Sequence, residues 1–274
     1  MIRDLSSKYS IQHWGEFRPK IPQYTKYSPN VILTALKIED VFSQINNARL
    51  SLFLTSIDDY GPKIVLKSDH GLKRIRSKFL FDSLAYYNYA VDLSWQTLFL
   101  FYGSDSYEIL LNKEKYYKAL RDCTQENVNY YLRLSGDHKS HFVLNKFFSD
   151  SLTRELREAY NYIKHRGTFD VDEQISVHRF PLEIFGLEMR MATREVINLE
   201  DWQSKLRNFD IMFYNYFNSI ISIMPNDFKN DTATIGDILN FLEKFSDNFV
   251  GIKEMEIEKM HFSIPGLELS KPND

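Results

Sequence analysis

The sequence predicts a mainly α protein, an up-and-down helical bundle with extra helices and a possible small β excursion. Two observations carry that expectation. Apolar residues recur at helical spacing over several long stretches. Turn formers are scarce, with 10 Gly and 8 Pro, while 21 Phe and 17 Tyr supply large rings suited to packing long helices. No internal repeat, low-complexity segment or linker interrupts the chain, so residues 1–274 read as a single domain.

Taken in order, residues 1–29 read as irregular because Pro and Gly cluster there. The helical core then spans residues 30–250. Its first helix runs from about Val31 through Ala48, with Ile32, Leu36, Val41 and Ile45 at helical spacing. The turn Asp58-Asp59-Tyr60-Gly61-Pro62, lying between two β-rich runs, predicts a short hairpin over Ser51–Lys67. A long helix starts at Ser68 or Asp69. Leu84, Tyr87, Val91, Trp95, Leu98 and Tyr102 form one aromatic stripe along it, read as core, before Gly103 ends it. Another helix is expected from Asn112 to Leu134, and a short one from His141 to Phe148. Between Asp170 and Met191 the period changes: Leu187, Met189 and Met191 alternate with charged residues, which predicts a loop or small β element. Helical spacing returns over Leu199–Ile223, with Trp202, Leu206, Phe209 or Phe213, and Phe217 on one side. A last helix covers Ile235–Val250, and residues 265–274 read as a flexible tail.

The net charge of −3 gives no global attraction to nucleic acid, so a polyanion site has to be a local patch. The single Cys123 excludes an intramolecular disulfide and a cysteine-rich zinc site, and it fits a reducing cytosol. The opening MIRDLSSKYS lacks the apolar core of a signal peptide. The longest apolar run, Ile211–Met224, is broken by Asn215 and Asn218 and is too short to span a bilayer. The expectation is a cytoplasmic protein with no membrane association.

The most informative segment is Asp150–Gly167. At about 100° per residue, Leu152, Leu156, Ala159 and Ile163 make an apolar stripe. Arg154, Arg157, Asn161, Lys164 and His165 gather opposite. Arg157, Asn161 and His165, spaced i, i+4 and i+8, are expected to stack turn above turn toward a common ligand. Asp150 or Ser149 supplies the N-cap, and Gly167 the left-handed C-terminal cap. Lys164, His165 and Arg166 also suit the negative end of the helix dipole, which alone accounts for a solvated basic face. Two other clusters read as surface: the D-H-x-x-H group Asp137, His138 and His141, which lacks a third metal ligand, and the basic run Lys73, Arg74, Arg76 and Lys78, which wraps around its helix. Glycine-rich phosphate loops, catalytic carboxylate pairs and a G-x-S-x-G elbow do not occur.

The run Tyr160-Asn161-Tyr162-Ile163-Lys164-His165-Arg166-Gly167, on a helix entered by Arg157, resembles the signature of the HEPN superfamily, small α-helical proteins that include many metal-independent ribonucleases of defence and toxin–antitoxin systems. Asn161 and His165 match the Asn-x-x-x-His part of the motif, and Arg-Gly is common company after it. Where the commonest form of the motif places Arg, this chain has Tyr160. The nearest upstream Arg is Arg157, with seven residues between it and His165. The resemblance implies a HEPN-type bundle acting as an RNA endonuclease without cofactor or metal. Its site would lie in a cleft between the motif helices of a homodimer, and the products would be a 2′,3′-cyclic phosphate and a 5′-hydroxyl. It implies catalytic roles for His165, Arg157 and Asn161, and substrate contacts from Lys164, Arg166 and Arg154. An antitoxin or nucleotidyltransferase partner is a further implication. The alternatives are a degenerate HEPN-like module binding RNA, a nucleotide or a protein, and a plain helical interaction protein.

Overall fold

A computed structural model describes residues 2–61, 69–171, 182–189, 196–230 and 232–248. Twelve helices and four short strands lie among them. The frame is a long antiparallel pair, α4 (Pro29–Leu54) and α5 (Asp69–Phe101). Three polar side chains fix their register. Asn30 Nδ2 donates to the Phe101 carbonyl at 2.7 Å, Thr34 Oγ1 to the Thr97 carbonyl at 3.5 Å, and Ser83 Oγ to the Ala48 carbonyl at 2.9 Å. The Asn30 and Ser83 bonds satisfy polar groups that the apolar seam would otherwise strand, whereas the Thr34 hydroxyl gives its proton mainly to the Asn30 carbonyl one turn back, at 2.7 Å.

Four more helices close the core. They are α8 (Gln125–Leu134), α9 (His138–Ser149), α10 (Ser151–His165) and α11 (Leu199–Ile221). Trp202, Leu206, Phe209, Phe213 and Phe217 of α11 are all buried, so both Phe209 and Phe213 belong to the predicted apolar side. Phe147 of α9 stacks on Tyr216 with ring centroids 4.0 Å apart and planes 9° from parallel. Of the α5 stripe, Leu84, Tyr87, Val91 and Leu98 are buried, while Trp95 and Tyr102 are half-buried.

A buried ion pair sits inside this apolar frame. Asp210 of α11 is 2 % exposed and accepts two bonds from Arg49 of α4, from Nε at 2.8 Å and from Nη2 at 2.6 Å. Tyr87 of α5 donates its hydroxyl to the same carboxylate at 2.7 Å. The three longest helices are thereby joined at a single point. Burial, and then the carboxylate beside it, hold the Tyr87 phenol well above its ordinary pKa.

Several sequence expectations are corrected. The segment 1–29, expected to be irregular, holds three short helices among its described residues: α1 (Ile2–Lys8), α2 (Gln12–Gly15) and α3 (Ile21–Lys26). Side chains hold these short helices in place. Trp14 is fully buried and donates to Asn218 Oδ1 at 2.8 Å, and Gln23 donates to the Phe228 and Asn230 carbonyls at 2.9 and 2.8 Å. The expected hairpin over Ser51–Lys67 loses its first arm, because Ser51–Leu54 continues α4; the second arm lies outside the described residues. The single helix expected from Asn112 to Leu134 is broken into α7 (Lys113–Arg121) and α8, which follow the short α6 (Glu108–Leu111). Thr124 marks the break by capping α8, accepting from the Asn127 amide, while Asn112 caps the start of α7, accepting from the Glu114 and Lys115 amides.

The β excursion takes the form of two small pairings. Strands β2 (Leu182–Ile184) and β3 (Leu187–Met189) form an antiparallel hairpin around Phe185 and Gly186, both at positive φ. Strands β1 (Asp170–Val171) and β4 (Val196–Ile197) pair in parallel. The last helix, α12 (Ile235–Asn248), reaches the end of the described residues; the expected tail at 265–274 lies outside them, as does Met191 after β3. No described helix is long and apolar enough to cross a membrane.

Candidate functional site

Helix α10 forms because both its ends are capped and one face is apolar. Asp150, not Ser149, is the N-cap, and its carboxylate accepts from the Leu152 and Thr153 amides at 2.9 and 3.2 Å. At the other end the Arg166 and Gly167 amides both donate to the Tyr162 carbonyl, with Gly167 at φ 150°. Thr153, Leu156 and Ala159 are buried, and Leu152 and Ile163 half-buried, which matches the predicted stripe. Asn88 of α5 donates to the Leu156 carbonyl at 3.4 Å and ties the helix to the frame.

The polar face divides into two parts. Asn161 and His165, one turn apart, line a cleft of about 840 Å³ between α10 and the start of α11. Arg166, Glu155 and Glu158 line it too, and Tyr162, Phe169 and Trp202 form its aromatic wall. Phe169 sits 4.9 Å from the Tyr162 ring and 5.6 Å from Trp202. Lys205 of α11 bridges the rim to Glu155 at 2.5 Å and lies over the Trp202 ring. Asn161, His165, Lys164, Arg166 and Arg154 are all exposed.

Arg157 belongs to the other part. Its Nη1 donates to Asp92 of α5 at 2.9 Å, and its guanidinium covers the Phe148 ring at 5.7 Å from the centroid. It is half-buried on the α5 flank and is not among the residues lining the cleft. The spacing i, i+4, i+8 therefore brings Asn161 and His165 together but leaves Arg157 aside. The reason is twofold. Eight residues drift the direction of the side chain by about 80° and raise it by about 12 Å, and a carboxylate on the neighbouring helix captures the guanidinium.

Tyr160, standing where the commonest motif form has Arg, packs edge-on to Tyr89 with centroids 5.8 Å apart. Burial first, then its bond with the Tyr89 hydroxyl, pushes its phenol up to about 12. Tyr160 and Arg157 thus both belong to the seam between α10 and α5. Glu155, Glu158, Trp202 and Phe169 were not singled out from the sequence as site residues. The two carboxylates carry no motif, and the rings reach the cleft only because the chain doubles back after Gly167.

The other clusters are structural. Asp137 is the N-cap of α9, accepting from the Ser140 amide, and it also accepts from the Tyr102 hydroxyl at 2.7 Å. Partial burial raises its pKa, but these bonds outweigh burial and the net shift is downward. Among the described residues no group of three or more His, Cys, Asp or Glu is arranged to hold a metal ion. In the basic run, Arg76 bonds the Ile57 carbonyl and Asp58, and Lys78 pairs with Asp82. Comparison with known proteins finds no matching family model, curated protein or solved structure.

Proposed function

We propose that this chain is a HEPN-like, metal-independent RNA endonuclease whose acid–base group is His165. The observation that carries the reading is the pairing of Asn161 with His165 on the edge of a cleft with an aromatic wall. An imidazole titrates near neutrality, where it can both accept and return a proton. It takes the proton of a ribose 2′-hydroxyl. The 2′ oxygen then attacks phosphorus, the bond to the 5′ oxygen breaks, and that oxygen leaves protonated. A 2′,3′-cyclic phosphate and a 5′-hydroxyl result. Asn161 orients the imidazole or holds a phosphate oxygen. Arg166, Lys164 and Arg154 are the exposed cations available to the phosphates, and the half-buried Tyr162 is the ring of the wall that a base can reach, since Phe169 and Trp202 are buried. In this reading a second copy faces the first across α10, as the resemblance implies. Arg157 orders α10 against α5 and reaches phosphate only by leaving Asp92.

Glu155 and Glu158 on the cleft, together with the capture of Arg157 by Asp92, favour a second reading: a module that binds RNA, a nucleotide or a protein and cleaves nothing. Incubating the purified full chain with structured RNA in EDTA separates the two. On the first reading His165→Ala lowers cleavage by about 10²–10⁴-fold, Cys123→Ala leaves it intact, and Asp92→Asn alters it by releasing Arg157. RNA that is bound but left uncut by the unaltered chain, over hours and across pH 5–9, refutes the nuclease and leaves the binding module.

A further inference from the structure

The cleft beside α10 has a charge order along its length. Glu155 and Glu158 lie toward the start of the helix and His165 and Arg166 at its end, with Asn161 and Tyr162 between them. The seven-residue step from Glu158 to His165 returns the side chain to within about 20° of the same direction and carries it about 10 Å along the axis. The two carboxylates are not equivalent. Glu155 is answered by Lys205 at 2.5 Å. Glu158, exposed on the cleft, makes no hydrogen bond or ion pair among the described residues.

A free carboxylate repels phosphate, so it directs a phosphate toward the His165 and Arg166 end and leaves its own end to the uncharged part of a nucleotide. An ionised carboxylate only accepts hydrogen bonds. Of the four bases, guanine alone sets two donors side by side on its pairing edge, N1–H and the N2 amine. Adenine and cytosine offer one amine beside a ring-nitrogen lone pair, and uracil one N–H between two carbonyls. Each of those three turns a lone pair on the second carboxylate oxygen. The length fits as well. The rise of about 10 Å from Glu158 to His165 is close to the reach of one nucleotide from pairing edge to 3′ phosphate. Tyr162, four residues past Glu158 and three before His165, is half-buried and gives the base a ring to stack on.

From these observations we infer that Glu158 is a specificity-determining residue that selects guanine, on the nucleotide whose 3′ phosphate lies at His165. The inference rests on the proposed reading of the cleft as an RNA site, and it holds whether or not the RNA is cut. Guanine N1–H donates to one carboxylate oxygen and the N2 amine to the other. The 3′ phosphate of the same nucleotide meets Arg166 and His165. A site built to pair a hydrogen-bonding group rejects analogues that leave it unpaired, and does so more strongly than an apolar pocket rejects a change of shape. In the nuclease reading, the released fragment therefore ends in guanosine 2′,3′-cyclic phosphate.

Isothermal titration of the full chain with 3′-GMP, 3′-AMP, 3′-CMP and 3′-UMP, each up to about 5 mM, tests it. 3′-GMP should bind at least about 10-fold more tightly than the other three, and 3′-IMP, which lacks the N2 amine, should lose about 10-fold. Glu158→Gln sets a donor beside the acceptor, the complement of adenine, so the preference should move from 3′-GMP to 3′-AMP. Glu158 is exposed, so the circular dichroism of the variant should match that of the parent. Equal affinity for the four nucleotides, binding of none of them, or a guanine preference that survives Glu158→Gln overturns the inference. Cleavage of structured RNA is scored apart from binding. Selective binding of 3′-GMP without cleavage upholds the inference and refutes the nuclease, whereas cleavage with no guanine selectivity does the reverse.

Discussion

Replacing Asp210 with Asn tests how the three longest helices are held together. The carboxylate is 2 % exposed and receives three hydrogen bonds, two of them from a guanidinium that is itself 8 % exposed. The amide keeps the shape but removes the charge, which leaves Arg49 buried without a counter-ion. Breaking one side of a buried ion pair costs about 3–5 kcal/mol, mostly from the stranded partner. Net stabilities of folded proteins are about 5–15 kcal/mol, so the loss is a large share of the whole. Urea unfolding at pH 7, followed by circular dichroism, should show a midpoint about 1 M or more lower with a similar slope. Tyr87→Phe should cost less, about 1–2 kcal/mol, because the carboxylate keeps both guanidinium bonds. The companion variant Arg49→Met, Asp210→Leu separates charge from packing. If the penalty is the uncompensated guanidinium, the pair of apolar side chains recovers most of the stability that Asp210→Asn alone removes. A cost below about 1 kcal/mol for Asp210→Asn, or a double variant less stable than the single one, would refute the reasoning.

Two further predictions follow from local chemistry. Asp150→Ala removes the acceptor of the Leu152 and Thr153 amides and should lower unfolding stability by about 1 kcal/mol, with the extra hydrogen exchange concentrated in the first turn of α10; Ser in its place should restore most of the loss. The Cys123 thiol is raised from 9.0 to about 12, with burial the leading cause and Lys37 opposing it. Its alkylation by iodoacetamide at pH 8 should therefore be at least about 10²-fold slower in the native than in the urea-unfolded chain. A folded-state pKa above the unfolded one means that this group's contribution to stability is intact below about pH 9. It is lost as pH climbs toward 12, because the unfolded chain releases its proton first. Cys123→Ser should accordingly flatten the alkaline fall in the unfolding midpoint over that window, and an unchanged fall would contradict the assignment.

Much of the fold was legible in the chain alone, because helix periodicity and capping are local. The apolar spacing placed α5, α10 and α11 to within a few residues and the start of α4 to within two, though α4 runs on past the expected Ala48 to Leu54, and Asp150 with Gly167 marked both ends of α10. The pairing of Asn161 with His165 was legible for the same reason, since one turn of one helix sets it. What the local pattern misread was governed by partners distant in sequence. The opening helices owe their place to Trp14 meeting Asn218 and Gln23 meeting Phe228, more than two hundred residues away. The break before α8 was in principle readable, since Thr124 is a good cap, but the apolar spacing on either side hid it.

The sequence by itself determined which side of α10 is apolar and which bears Arg154, Asn161, Lys164 and His165, because 3.6 residues per turn allow no other arrangement. Only the tertiary structure decided which of the polar groups of α10 lie together. Asp92 on α5 draws Arg157 out of the row, and the fold-back of Phe169 and Trp202 gives Asn161 and His165 a cleft to face. The physical reason is that a helix fixes the direction of a side chain, whereas a salt bridge or an aromatic wall needs a second segment. Where that segment lies is settled by burial summed over the whole chain.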